Sequence, residues 1–343
     1  MLHLSHAKSI LLFSLWLALS LSAAAQSGRR TQESGKKGGT EESAVRIKTE
    51  EVLLPITVRD SIGRLVTGLD AQDFFIYDNG QRQQIEDFNR RKVPVNVIFL
   101  LDASGSVFQQ MEAIRNAALS FVKTLSPEDR VAVMQFADKV QLLQDWTGNS
   151  EDIKLALSWK YHPGQATAFY DALIAAAEKF KGVEGRRAII LLTDGVNTKG
   201  STSFAQGLEA MKRFEATVYV VSQTEAQARL LRRDTKGAAG VLNRIFGGAY
   251  QVEVKQYLLL LDQAERELTT LADATGGRIY LPVEERDLAQ AYAEVAQELK
   301  TQYIVTYVPT NESAVDEAYH KVEVLVRGGG YQAHTRRGYY KQQ

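Results

Sequence analysis

Two stretches of the chain, Val95–Leu101 and Ala188–Leu192, are apolar almost without interruption. Short apolar runs bounded by turn residues suit strands buried on both faces of a parallel sheet. Around them the period lengthens. Phe108, Met111, Ile114, Arg115, Ala118, Phe121 and Leu125 fall mostly three or four apart, with Arg115 the one polar interruption. That spacing predicts a helix with one buried face. Val131–Phe136 predicts the next strand and Val140–Leu143 an edge strand, followed by helices from Glu151 and over Ala168–Phe180. After the second apolar run come a helix at Phe204–Phe214, a strand at Thr217–Val221, a helix over Asp262–Ala274 closed by Gly276-Gly277, a strand at Arg278–Leu281 and a helix at Leu288–Leu299. This alternation predicts an α/β fold, a doubly wound, mostly parallel sheet with helices on both faces. Glu225–Leu261 interrupts the rhythm as an insertion. It carries a basic helical face (Arg229, Arg232, Arg233), a break at Gly237–Gly240 and an apolar stretch at Tyr257–Leu261.

Both flanks of the α/β unit read as β. Val52–Val58 precedes the turn Asp60–Gly63, and its Pro55, which cannot donate to a ladder, predicts an edge strand. Phe74–Tyr77 runs into Asp78-Asn79-Gly80, a strong short hairpin signal, and Gln84–Phe88 alternates in part. At the other end Gln302–Val308, Lys321–Arg327 and Tyr331–Tyr339 alternate apolar and polar, with Gly328–Gly330 read as a hairpin turn. Together these predict a β-sandwich of about seven strands assembled from both chain ends, with the α/β unit inserted into it. Two separate small sheets are the alternative.

The first residues have a different character. Lys8, the apolar Ile10–Ser22 and the small residues Ala23–Ala25 form the pattern of a secretory signal peptide cleaved before Gln26. The alternative is an uncleaved anchor, but the run is short for a span of ~20 residues. Ser27–Ser43 is Gly-, Ser- and charge-rich and reads as a linker. The expected plan is therefore a signal peptide at 1–25, a linker at 26–45, a β-rich segment at 46–92, the α/β domain at 93–300 with its insertion at about 225–261, and strands at 301–343 that pair with the N-terminal segment. The product is expected to be secreted or periplasmic, with no membrane span in the mature chain. Lys plus Arg and Asp plus Glu balance at 41 each in the 343 residues, which gives no sign of a nucleic-acid partner. With no cysteine, disulfides, thiolate metal sites, a Cys nucleophile and a lipoprotein anchor are excluded, and an exported chain of this kind reads as bacterial.

The chemistry gathers at strand ends. The first apolar run stops in Asp102-Ala103-Ser104-Gly105-Ser106, the second in Thr193-Asp194-Gly195, and the loop Gly164–Ala168 carries Thr167. In open α/β sheets the carboxyl ends of strands beside the switch point hold ligands. If the two apolar strands are neighbours, two carboxylates and three hydroxyls meet there. An oxygen-only set with so few carboxylates suits Mg²⁺ and leaves it electrophilic, with an open position for a carboxylate from another molecule. Taken singly, Ser106 and Thr167 read as helix caps and Asp194-Gly195 as a turn. Their convergence is what points to a metal.

Phe99–Ser106, Ala166–Leu173 and Leu191–Gly195 resemble the three segments of the metal-ion-dependent adhesion site of von Willebrand factor type A domains, over about residues 93–300 and at all five ligand positions. The resemblance implies direct ligation by Ser104, Ser106 and Thr167, contacts largely through water from Asp102 and Asp194, and Mg²⁺ that Mn²⁺ often replaces. It also implies a protein partner offering an Asp or Glu carboxylate. Val58–Leu69, Asp73-Phe74, Gly80, Thr275–Arg278, Tyr303–Tyr307 and Arg337–Tyr339 resemble the flanks of a group of secreted bacterial, acidobacterial-type relatives of this domain. The expected function is a secreted, non-enzymatic, metal-dependent adhesion-type module. A metal-dependent hydrolase and a structural subunit of an envelope complex are the alternatives. The hydrolase lacks an evident base among His162, His320 and His334 and has no Gly-x-Ser-x-Gly turn.

Overall fold

The computed structural model describes residues 51–89, 93–236, 249–310 and 319–341. The expected signal peptide, the linker and the Gly237–Gly240 break lie outside the described residues. Four strands come first: β1 (Val52–Arg59), β2 (Phe74–Asp78), β3 (Gln81–Gln83) and β4 (Asp87–Asn89). The α/β unit follows with β5 (Val95–Asp102), α1 (Met111–Val122), β6 (Arg130–Phe136), β7 (Val140–Thr147), α2 (Ser150–Trp159), α3 (Phe169–Glu178), β8 (Arg186–Thr193), α4 (Phe204–Arg213), β9 (Thr217–Ser222), α5 (Thr224–Lys236), α6 (Ala249–Thr275), β10 (Ile279–Tyr280) and α7 (Glu285–Thr301). The final strands are β11 (Tyr303–Tyr307), β12 (Tyr319–Val326), β13 (Gln332–His334) and β14 (Gly338–Tyr340).

The central sheet has the order β10-β9-β8-β5-β6-β7. Every neighbouring pair is parallel except β6 with β7, which is the antiparallel edge. Alternation along β5 shows why its sequence is apolar almost throughout, from Val97 to Leu101. Val97, Phe99 and Leu101 pack in one core with α1, α2 and α7, while Ile98 and Leu100 pack in the opposite core with α3, α4 and α6. Both faces are covered, so no position is left for a polar residue to reach water. The chain runs from β5 outward to β7 and returns to β8 on β5's other side. The switch point therefore lies between β5 and β8, which are paired from Val95/Arg186 to Leu101/Leu192.

The chain ends build two antiparallel sheets, β13-β1-β11-β4 and β14-β12-β2-β3. Leu54, Ile56 and Val305 of the first face Phe74, Ile76, Val322 and Tyr339 of the second in one shared core, as a sandwich requires. Asn79 and Gly80, both at positive φ (48° and 80°), make the tight turn between β2 and β3. Three details differ from the sequence reading. Tyr331–Tyr339 is two strands in different sheets, so Gly328–Gly330 passes the chain from one sheet to the other and is not a hairpin turn. β1 is flanked on both sides, but β13 pairs only with Thr57–Arg59, so the stretch around Pro55 meets a ladder on the β11 side alone. Helix α6 begins at Ala249, ahead of the expected Asp262, because Tyr257, Leu258 and Leu261 pack on α5.

The sandwich is joined to the α/β unit by a buried contact. The Arg59 guanidinium donates to Glu298 on α7, and Thr57 Oγ1 donates to the same carboxylate at 3.1 Å. Gly276, at φ 76°, lets the chain leave α6 against the β13–β14 connection, where a Cβ would lie 2.3 Å from the Arg336 backbone nitrogen. Gly276→Ala is therefore expected to destabilise the fold by more than ~1 kcal/mol, read as a lower midpoint in urea unfolding. Among the described residues no helix is long and apolar enough to cross a membrane.

Candidate functional site

Asp102 is the last residue of β5 and Asp194 follows the last residue of β8, so the pairing of these strands sets the two carboxylates side by side at the sheet's carboxyl edge. Both are buried, at 0% and 1% exposure. Asp102 Oδ1 accepts from the Ser104 backbone N–H at 2.8 Å, and its Oδ2 accepts from Thr193 Oγ1 at 2.7 Å. Ser104 Oγ and Ser106 Oγ lie 2.9 Å apart. Asp194 Oδ1 accepts from the Val196 N–H at 3.0 Å. Ser104 and Thr167 are buried and Ser106 is exposed, so the site opens to solvent at Ser106.

The Thr167 loop is tied to both other loops. Gly164 N–H donates to the Ala103 carbonyl at 2.7 Å, and Ala168 N–H donates to the Ala137 carbonyl at 2.8 Å. From the Asp194 side, Thr198 Oγ1 accepts from the Thr167 N–H at 2.9 Å, and Asn197 Oδ1 accepts from the Phe169 N–H at 2.8 Å. Asn197 thus satisfies one of the open N–H groups at the start of α3 from another loop. Among the described residues the Thr167 hydroxyl makes no hydrogen bond to the other four predicted residues. Asp102, Ser104, Ser106 and Asp194 form one contiguous set, and Thr167 is held beside it by its backbone.

The electrostatics are those of two like charges taken out of water. Burial first, and the neighbouring Asp194 second, push the Asp102 carboxyl up to about 7. Burial also raises Asp194, against the Ser106 hydroxyl, the Val196 N–H, Tyr257 and Gln227, which favour its ionised form. A divalent cation placed between them would allow both to stay ionised at neutral pH. Among the described residues no group of three or more His, Cys, Asp or Glu is placed to hold a metal. The donors here are two carboxylates with hydroxyls, which fits a Mg²⁺ site that keeps open or water-filled positions.

A consequence follows for the metal-free protein. Groups that bind protons more tightly when folded contribute stability that is complete below their unfolded value, near 3.8 for Asp, and lost as the pH rises through the folded value. In EDTA the melting temperature is expected to fall between about pH 4 and about pH 7, and saturating Mg²⁺ should remove that fall. An EDTA melt that is flat over this range would show that the carboxylates are not coupled as the geometry requires.

Several residues at the site carried no functional signal in the sequence. Thr193 ended an apolar strand, where alternation gave no reason to single it out. Tyr161 donates to the Asp102 carbonyl at 2.6 Å. Gln227 of α5 donates through Nε2 to Asp194 Oδ2 at 3.1 Å, and the Tyr257 hydroxyl of α6 lies 3.5 Å from the same oxygen. The His162 ring is exposed with Nε2 2.8 Å from the Trp159 carbonyl, and Arg229 of the basic helical face pairs with Glu225. His320 lies in the sandwich core against Asp78.

Comparison with known proteins gives a match to the family described as von Willebrand factor type A domain over residues 96–240. The uncharacterized protein sll0103 of Synechocystis sp. is 33% identical over 119 residues, a match that covers 33% of this chain and 28% of that protein. Among solved structures, the von Willebrand factor type A protein from Catenulispora acidiphila is similar over 84% of this chain and 73% of its own, at 12% identity and a TM-score of 0.46. The conserved hypothetical protein BatB from Bacteroides thetaiotaomicron is similar over 38% of this chain and 68% of its own, at 28% identity and a TM-score of 0.33.

Proposed function

Residues 96–240 of this chain are a von Willebrand factor type A domain, and from that premise we propose that the protein is an exported, divalent-cation-dependent protein-binding module with no catalytic activity of its own. Domains of this kind are protein-interaction modules and are often metal-dependent. The observation that carries the finer reading is the donor set at the sheet's switch point. Burial raises the proton affinity of both carboxylates, Asp194 raises that of Asp102 further, and hydroxyls surround them. Asp102, Ser104, Ser106, Thr167 and Asp194 would hold Mg²⁺, with Mn²⁺ able to substitute. When bound, the cation supplies an electrophilic position for an Asp or Glu carboxylate of a partner protein. Ser106, exposed above the buried carboxylates, marks the side from which that carboxylate arrives.

A hydrolase would need a base beside this position. The His162 ring is engaged with the Trp159 carbonyl, and His320 belongs to the sandwich core, which favours binding over turnover. Export rests on the charged, apolar and small-residue pattern of Lys8 to Ala25. An array of peptides bearing Asp or Glu in varied flanks is expected to capture the protein in Mg²⁺ and to release it in EDTA, with Asn and Gln analogues silent. Capture that survives chelation would sink the cation-dependent reading and favour an ordinary protein interface.

A further inference from the structure

The 225–261 insertion reaches the site through two side chains on two helices. Gln227 is buried on α5, and its Nε2 bridges Asp194 Oδ2 (3.1 Å) and the Ser106 carbonyl (3.2 Å). Tyr257 is half-buried on α6, with its hydroxyl 3.5 Å from Asp194 Oδ2 and 3.4 Å from Gln227 Oε1. The other oxygen of Asp194 is held by the Val196 N–H. Thus one oxygen is bonded by the carboxylate's own loop and the other by the insertion, with the Ser106 hydroxyl also favouring the ionised form.

The two helices are built to hold those side chains still. Val196, Ala228, Leu261 and Ala264 form a small buried core between α5, α6 and the Asp194 loop, with Leu231, Tyr257 and Leu258 packed on it. Thr224 Oγ1, at the start of α5, donates to Glu265 Oε2 on α6 at 2.7 Å. Gly195 has no room for a side chain, since a Cβ there would lie 2.8 Å from Leu268 of α6. Donors mounted on packed helices orient a ligand better than donors on a loop. Neutral donors also offset the cost of burying the Asp194 charge without adding the negative charge that a third carboxylate would bring.

We propose that Gln227 and Tyr257 are positioning residues of the cation site, and that the insertion sets its divalent-cation affinity by fixing Asp194. The proposal rests on the cation-binding reading of the site given above. It is distinct in placing a determinant of affinity outside the three motif loops, on helices contributed by the insertion.

The test is calorimetric titration of Mg²⁺ and of Mn²⁺ into the full chain, its Gln227→Met and Tyr257→Phe variants, and the double variant. Both substitutions roughly keep shape: Tyr257→Phe removes the hydroxyl, and Gln227→Met removes the Nε2 donor together with the Oε1 that lies 3.4 Å from the Tyr257 hydroxyl. Each is expected to keep one-site stoichiometry and weaken binding about tenfold, the usual size of an outer-shell effect. The double variant should lose less than the product of the two, because both donors act on one oxygen and touch each other. Leu261→Ala, which loosens the helix pair without removing a donor, controls for packing, and a cooperative melt in EDTA confirms that each variant is folded. Wild-type affinity in both isosteric variants, or tighter binding, overturns the proposal and leaves the cation site standing if Asp102→Asn still abolishes binding. A weakening by Leu261→Ala alone also overturns it, by assigning the insertion a packing role only. No binding to the wild type removes the cation reading and the proposal with it.

Discussion

Asp102→Asn is expected to abolish saturable Mg²⁺ and Mn²⁺ binding while leaving the metal-free fold intact. The side chain is completely buried, so its charge is stabilised by very little besides the Ser104 N–H and the Thr193 hydroxyl. Burial and Asp194 together already push its carboxyl up to about 7. Asn has the same shape, keeps an oxygen that can accept one of those hydrogen bonds, and carries no charge. The substitution therefore removes half of the negative charge that a divalent cation needs, and at the same time relieves the repulsion between the two carboxylates. In the wild type a cation at a hundred times its dissociation constant stabilises the folded state by about 2.7 kcal/mol. For a chain of this size that is roughly a 4 °C rise in melting temperature. In Asp102→Asn the rise should vanish, and above about pH 7 the variant in EDTA should melt no lower than the wild type in EDTA. Scanning calorimetry of both proteins in both buffers decides it. A variant that melts far lower in EDTA would mean that Asp102 is a structural acceptor first.

Glu298→Ala is expected to be the most destabilising single change away from the site, at about 3–5 kcal/mol, the usual cost of stranding one partner of a buried ion pair. Glu298 is 2% exposed on α7, and its carboxylate takes the Arg59 guanidinium and the Thr57 hydroxyl, both on β1. Removing it leaves Arg59 buried with the Gly63 carbonyl as its remaining acceptor, and leaves the Thr57 hydroxyl without this partner. The expected loss corresponds to a melting temperature lower by roughly 4–7 °C. Because burying two charges costs nearly as much as their attraction returns, Arg59→Met with Glu298→Leu should recover most of the stability. Urea unfolding of the single and double variants separates the cases. A loss below about 1 kcal/mol in the single variant would show that water reaches the pair.

The α/β unit was legible because its signals are local and strong. Val97–Leu101 and Ala188–Leu192 are apolar throughout because both faces of β5 and β8 are covered by helices, and two-sided burial leaves its mark on both alternating sets of positions. The stop at Asp102 and Asp194 was legible for the same reason, since a carboxylate ending such a run has to be held by something. The chain ends were harder. Gly328–Gly330 turns the chain whether it makes a hairpin or crosses between sheets, and only the pairing of β13 with β1 and of β14 with β12 distinguishes the two. The early start of α6 was hidden because Tyr257, Leu258 and Leu261 read as an apolar patch until α5 is set against them.

By itself the sequence determined which residues could bear charge and oxygen at strand ends, the period of each element, and hence an α/β sheet with an oxygen-only site at its carboxyl edge. These follow from the nearest neighbours along the chain, where side-chain polarity and backbone preference act. The tertiary structure alone decided that β5 and β8 are adjacent, which puts Asp194 close enough to Asp102 to raise its proton affinity. It alone brought Gln227 and Tyr257, 33 and 63 residues away along the chain, onto one oxygen of Asp194. Contacts across such separations depend on how whole helices pack, and a Gln or a Tyr on a half-buried helical face carries no local sign of the carboxylate it will meet.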